Sequence, residues 1–280
     1  MTRRRSVRRR QVPAVTRALA ILRKLGRTPE PLGVNQLARE LGLIPSTCLH
    51  ILRVLSDEGL VAFDPDTKRY SIGLGILPIA RSALEQSSFA KLIEPSLTQL
   101  SRNFGGTAVA TELVDTDHMV VVALSRAQQL FRLQVDLGSR FPALISATGR
   151  CHAAFNLVGL PVSQLRARFE RLKWDKPPGY RAWRREVEDV RAGGLAVDRS
   201  NYINGVTILA VPFLDSRGRM THSVVAIDIA ERFEAIGIAS VADEMVRIRD
   251  AVSMSSSGFR TDINAGAGYA RDVRVGSDRE

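Results

Sequence analysis

The stretch Leu37-Ala38-Arg39-Glu40-Leu41-Gly42-Leu43-Ile44-Pro45-Ser46-Thr47 contains the junction on which the fold turns. Gly42 suits the left-handed backbone position that ends a helix. Pro45 suits a first helical turn, where its missing N–H costs little. Upstream, after Pro29 and Pro31, the residues Val34, Leu37, Ala38 and Leu41 predict a short helix, with Asn35 near its start. Downstream, Leu49, Leu52, Val54 and Leu55 are expected to form the buried face of a helix ending near Glu58-Gly59. A further helix is expected before both, from Val12 to Gly26. There Val15, Leu19, Leu22 and Leu25 recur at helical spacing, and Ala18 and Ile21 widen the stripe. Helices separated by a tight glycine turn are the grammar of a helix-turn-helix.

The next residues extend that reading. Leu60–Phe63 predicts a strand, Asp64-Pro65-Asp66-Thr67 a turn, and Lys68–Ile72 a returning strand. Such a hairpin is a wing, whose Lys68 and Arg69 suit phosphates while the third helix enters the major groove. On that helix Ser46, Thr47, His50 and Arg53 are the polar residues placed to reach bases and backbone, and Arg17 on the first helix joins the set. The plainer role for Ser46 or Thr47 is a helix cap. His50 has no partner at metal-ligand spacing, so no metal site is expected.

Charge is distributed to match. Residues 1–75 hold 14 Lys+Arg against 6 Asp+Glu, whereas the remaining 205 hold 26 against 23, so the excess sits where nucleic acid is expected. Residues 1–11, including Arg8, Arg9 and Arg10, read as a disordered basic arm, either a phosphate-neutralising segment or a solvated tail. No apolar run approaches a transmembrane span, and no signal peptide is evident. The two cysteines, Cys48 and Cys151, fit a reduced cytoplasmic protein, and no cofactor is implied.

Taken together, Pro13–Leu22, Leu37–Leu43, Pro45-Ser46-Thr47, Leu55–Val61 and Asp64–Gly73 resemble the IclR family of bacterial transcriptional regulators. The likeness extends over about residues 12–257. It implies a winged helix-turn-helix (12–74), a linker helix (75–88) and a GAF-like effector-binding domain (89–257), followed by a disordered tail (258–280). It also implies homodimers that pair into tetramers on DNA, an inverted-repeat operator and a small-molecule effector. The linker's Leu77, Ala80, Ala83 and Leu84 form a stripe for dimerisation, or for ordinary packing. The linker region reads as helical from Leu74 to Phe104, with interruptions at Pro78 and Ser87-Ser88.

Beyond the linker, strands are expected at 107–114, 119–124, 131–135, 195–197, 207–213 and 223–229. Helices are expected at about 147–158, 162–171, 181–193 and 235–252. This order argues for an α+β domain with one mainly antiparallel sheet. The resemblance places the pocket at Ser146-Ala147-Thr148-Gly149-Arg150, with Gly149 letting a ligand approach helix N–H groups, and at Asp198 and Ile208. Relatives that sense small oxo-acids carry a Ser-x-Ser pair where this chain has Val225 and Ile227. Branched hydrocarbon in place of two hydroxyls predicts an aromatic or otherwise hydrophobic acid as effector, unless these two residues are plain core.

Two other readings stay open at this point. One is an architectural DNA binder that senses nothing. The other is an enzyme using Cys151, although Cys151 and His152, adjacent on a helix, point about 100° apart and make a poor dyad.

Overall fold

The computed structural model describes residues 12–125 and 135–255. The arm with Arg8, Arg9 and Arg10, the expected strand residues 131–134 and the tail lie outside them. The chain divides into two compact units, residues 1–86 and 87–280.

In the first unit, helix α1 (Pro13–Arg27) precedes a two-residue strand, β1 (Leu32–Gly33), and helix α2 (Val34–Leu41). Gly42 has φ 64°, and helix α3 (Pro45–Asp57) follows with its proline in the first turn. Strands β2 (Val61–Asp64) and β3 (Arg69–Ile72) form the hairpin, and β1 adds antiparallel to β3, Leu32 facing Tyr70. The core beneath it is Ile21, Leu25, Leu37, Cys48, Leu52, Leu55, Val61 and Tyr70.

Three expectations change here. Val54 is 61% exposed, so Cys48 takes its place in the buried face of α3. Val15 and Leu19 are exposed, which leaves half of the α1 stripe without cover inside this unit. Pro78 does not interrupt the linker. It lies in the first turn of helix α4 (Ile76–Gln86), where an N–H would have no intrahelical acceptor.

The second unit begins with helix α5 (Ser88–Phe104), capped by Ser87, whose hydroxyl accepts from the Ala90 N–H. Among the described residues six strands follow: β4 (Thr107–Leu113), β5 (His118–Leu124), β6 (Arg140–Pro142), β7 (Ala196–Arg199), β8 (Val206–Leu214) and β9 (Met220–Ile229). They form one antiparallel sheet in the order β6-β5-β4-β9-β8-β7. Between β6 and β7 lie helices α6 (Ser146–Asn156), α7 (Val162–Glu170) and α8 (Tyr180–Gly193). The expected closing helix is two, α9 (Ala230–Ile236) and α10 (Ile238–Ser255), broken at Gly237 with φ 93°.

Strand alternation sends side chains to two cores. Ala108, Ala110, Val224 and Leu209 face α5 and α10. Val109, Val225, Ile227, Ile208 and Val121 face the layer of α6, α7 and α8. The second of these faces carries the cavity described below.

Candidate functional site

On α3 the exposed positions are Ser46, His50, Arg53, Val54 and Asp57, with Thr47 half-buried beside them. Their spacing of three, four and seven puts them on one face, opposite Cys48, Leu52 and Leu55. The helix thus presents hydroxyls, an imidazole, a guanidinium and one branched hydrocarbon together. This mixture suits base edges, with Val54 available to a thymine methyl. Ile44, at the N-cap, offers no side-chain cap bond, and neither Ser46 nor Thr47 occupies that position.

The wing is held by its own turn. The Asp64 carboxylate accepts from the Asp66 and Thr67 N–H groups at 2.9 and 3.4 Å and from the Thr67 hydroxyl at 2.6 Å. These bonds lower the Asp64 pKa, the Thr67 hydroxyl contributing most. Lys68 follows in a left-handed conformation, φ 58°, and is exposed. Arg69 is partly committed, because its Nη1 donates to the Pro31 carbonyl at 3.0 Å and ties β1 to the wing. Arg17 is exposed on α1.

In the second unit a cavity of about 250 Å³ opens between the sheet and α6. Its apolar wall includes Val109, Val121, Phe141, Ile208, Val225 and Ile227. At one end stands the first turn of α6. Ile145, at the N-cap, provides no side-chain cap, and the first N–H to find an intrahelical acceptor is that of Gly149, which donates to Ile145 at 2.8 Å. The N–H groups before it are those a helix leaves without internal partners. Ser146 lines this end, is 4% exposed, has φ 62° and keeps a buried hydroxyl with no hydrogen-bond partner among the described residues. A serine in the left-handed region is strained, by about 1–3 kcal/mol. Backbone N–H groups at a helix N-terminus together with a buried hydroxyl are chemistry that suits an anion.

Asp198 and Gly149 build this end without lining it. The Asp198 carboxylate, 0% exposed, accepts from Arg150 Nη1 at 3.1 Å and from the Asn201 and Tyr202 N–H groups at 2.8 and 3.3 Å. Arg150, also buried, further donates to Glu186 at 2.6 Å, to the Ser146 carbonyl at 3.0 Å and to the Asn201 side chain at 2.8 Å. This network fixes the segment that presents Tyr202 and Ile203 to the cavity. A Cβ on Gly149 would lie 2.0 Å from the Leu144 carbonyl carbon, so glycine is required for close packing against the preceding chain rather than for ligand approach.

Cys151 is fully buried with its thiol against the Ala210 carbonyl at 3.6 Å, and burial pushes its pKa up to about 12. A thiol so held is a core group and not a nucleophile.

Residues 81–254 match the family model described as the C-terminal domain of the bacterial transcriptional regulator IclR, and residues 14–65 match the IclR helix-turn-helix domain. The chain belongs to the IclR family. It is 27% identical to the glycerol operon regulatory protein of Streptomyces griseus over 264 residues, covering 92% of this chain and 98% of that one. The crystal structure of an IclR-type regulator from Alicyclobacillus acidocaldarius superposes with a TM-score of 0.76 at 23% identity, over 89% of this chain and 99% of that one. An IclR homologue from Microbacterium hydrocarbonoxydans, crystallised with 4-hydroxybenzoate, has a TM-score of 0.68 at 13% identity, over 90% and 99% of the two chains.

In this IclR-family regulator, four of the six residues singled out for the effector, Thr148, Ile208, Val225 and Ile227, line this cavity, and Asp198 and Gly149 stand behind it. Sequence reasoning missed Val54 on the exposed face of α3, and Thr111, Tyr202 and Ile203 around the cavity. Ser146 lay in the segment read as pocket, but its left-handed backbone conformation left no signal in the sequence. Thr111 was findable, because a hydroxyl interrupts the apolar alternation of β4.

Proposed function

We propose that this transcriptional regulator binds an inverted-repeat operator as a homodimer and that a hydrophobic, aryl-type carboxylic acid in the cavity tunes that binding. What supports the effector reading most is the cavity's make-up. Its walls are mostly hydrocarbon, with Thr111, Ser139, Arg140, Thr148 and Tyr202 as polar lining, and one end is a helix N-terminus without a side-chain cap that carries the Ser146 hydroxyl. The acid group meets the N–H groups and Ser146, while Val225 and Ile227 bury the ring. A short oxo-acid would leave its polar oxygens against these two side chains, an uncompensated desolvation. The fold neighbour crystallised with 4-hydroxybenzoate holds an acid of this class.

On DNA, Ser46, Thr47, His50 and Arg53 read bases and adjacent backbone. Lys68, Arg69 and Arg17 hold phosphates, and Arg8, Arg9 and Arg10 extend the electrostatic footprint. Exposed Val12, Val15 and Leu19 on α1, with Leu74, Leu77 and Ile79 at α4, form the apolar surface that a second copy covers. The side chains of Ala83 and Leu84 lie outside the described residues. Two half-sites about one helical turn apart, ~34 Å, or a multiple of it, follow from such a dimer, and dimers pair into tetramers on the operator. Effector occupancy changes the placement of the two DNA-binding halves through the linker, and a coupling of ~1–3 kcal/mol suffices for control. The protein acts in the cytoplasm, where its operator is. A ligand-sized cavity weighs against a purely architectural role.

A thermal-shift screen tests the effector. An aryl acid at 100 times its Kd stabilises the folded protein by about 2.7 kcal/mol. Stabilisation by glyoxylate or pyruvate alone would overturn the reading.

A further inference from the structure

The cavity has a second polar end. Thr111 on β4 lines it, and the Thr111 hydroxyl lies 2.6 Å from that of Ser223 on β9, both fully buried. The register places this pair opposite the anion end. Asp198 faces Ile208 across β7 and β8, and Ile208 faces Ile227 across β8 and β9. Arg150 links Asp198 to the Ser146 carbonyl, so Ser146 belongs to the Ile208–Ile227 end. Helix α6 then runs antiparallel to β9, for Asn156 at its far end exchanges two hydrogen bonds with Met220 at 2.7 and 2.8 Å. Ser223 precedes Ile227 by four residues, roughly 13 Å along the strand. Between the two polar ends lie Val109 and Val225, paired across β4 and β9.

Two hydroxyls carry two protons. One is used in the bond between them, and among the described residues the other has no acceptor. When Ser223 donates to Thr111, the Thr111 proton is left for the cavity, and Thr111 still offers a lone pair. A buried donor of this kind is costly unless a ligand or water completes it.

Resting on the aryl-acid reading above, we infer that Thr111, backed by Ser223, recognises the far end of the effector. It takes an oxygen substituent, a hydroxyl or carbonyl, carried across the ring from the acid group. The effector is therefore an oxygenated aryl acid with two polar poles and an apolar waist. A site built to meet such an oxygen also rejects the analogue lacking it, because its own polar groups are then left unpaired.

Isothermal titration of the full-length protein with two matched pairs tests this: benzoate against 4-hydroxybenzoate, and cinnamate against 4-hydroxycinnamate. In the wild type the hydroxylated member of at least one pair should bind about tenfold tighter. Thr111→Val should abolish that preference, the hydroxylated acid binding more weakly and the unsubstituted acid no more weakly than in the wild type, and Thr111→Ser should keep it. Ser223→Ala, a milder change at the backing hydroxyl, should reduce it and carries the test if Thr111→Val does not fold. Equal affinities within both pairs in the wild type, or a preference that survives Thr111→Val, overturn the assignment of Thr111 and leave the acid reading intact. Binding of short oxo-acids with no binding of any aryl acid overturns both.

Discussion

Replacing Asp198 with alanine should destabilise the ligand-free protein, because this carboxylate builds the cavity and does not merely touch what enters it. The substitution removes the acceptor of the Asn201 and Tyr202 N–H groups and one of the four partners of buried Arg150. Each orphaned buried donor costs ~1–3 kcal/mol, and breaking a buried ion pair by removing one member costs ~3–5 kcal/mol. Glu186 remains bonded to Arg150 but is half exposed, so it offsets only part of the loss. A net cost of about 3–5 kcal/mol is expected, lowering the unfolding midpoint of a unit this size by roughly 10 °C. Tryptophan fluorescence reads this unit selectively, since both tryptophans of the chain, Trp174 and Trp183, lie in it. Trp174 also carries the Arg150 guanidinium 6.0 Å from its ring. An Asp198→Ala protein with an unchanged melting midpoint and weakened ligand binding would refute this reasoning and return Asp198 to the role of a direct effector contact.

Three further outcomes are expected. His50→Ala and Arg53→Ala should each weaken operator binding by about 1–3 kcal/mol without moving the melting midpoint, as measured by fluorescence anisotropy, while Lys68→Ala should lower the slope of log affinity against log salt by about 1. Gly149→Ala should cost several kcal/mol, at least the ~1–3 kcal/mol of ordinary overpacking, because its Cβ meets Leu144 backbone and not a movable side chain; a urea midpoint equal to wild type would contradict this. Stability should fall as pH drops from 6.5 to 4. Buried His152, with neither ring nitrogen bonded, is pushed by burial down to about 4, so between these values the unfolded chain binds the extra proton. His152 contributes about 3 kcal/mol of loss across that window, regained at higher pH, and buried His222, likewise pushed down to about 4, adds to it, so His152→Leu should lessen but not abolish the pH dependence of the urea midpoint.

Local rules carried much of the first unit. The Gly42 turn, Pro45 at a helix start and the Asp64–Thr67 turn each impose a conformation through their own chemistry, so their positions are legible without tertiary context. Val54 was misplaced because periodicity marks apolar residues as buried, whereas a DNA-reading face needs an occasional hydrocarbon. The same rule hid the exposure of Val15 and Leu19. Strand β1 is two residues long and leaves no pattern, and it exists because β3 has a free edge and Arg69 ties Pro31 to it. Around the cavity, Ile208, Val225 and Ile227 followed from the family resemblance, and all three line it. Asp198 could be placed near the ligand but not assigned its partner, since Arg150 lies 48 residues away in sequence. Closure of such a pair is a property of the packed layers, as is the left-handed turn at Ser146.

Binding to fragmented genomic DNA at moderate salt, with sequencing of what is retained and a parallel sample containing an oxygenated aryl acid, tests the central claim most directly. Enrichment of a few inverted-repeat sites, with retention at those sites changed by the acid, is the predicted result. Salt-sensitive retention without sequence preference, unaltered by any acid, would contradict it.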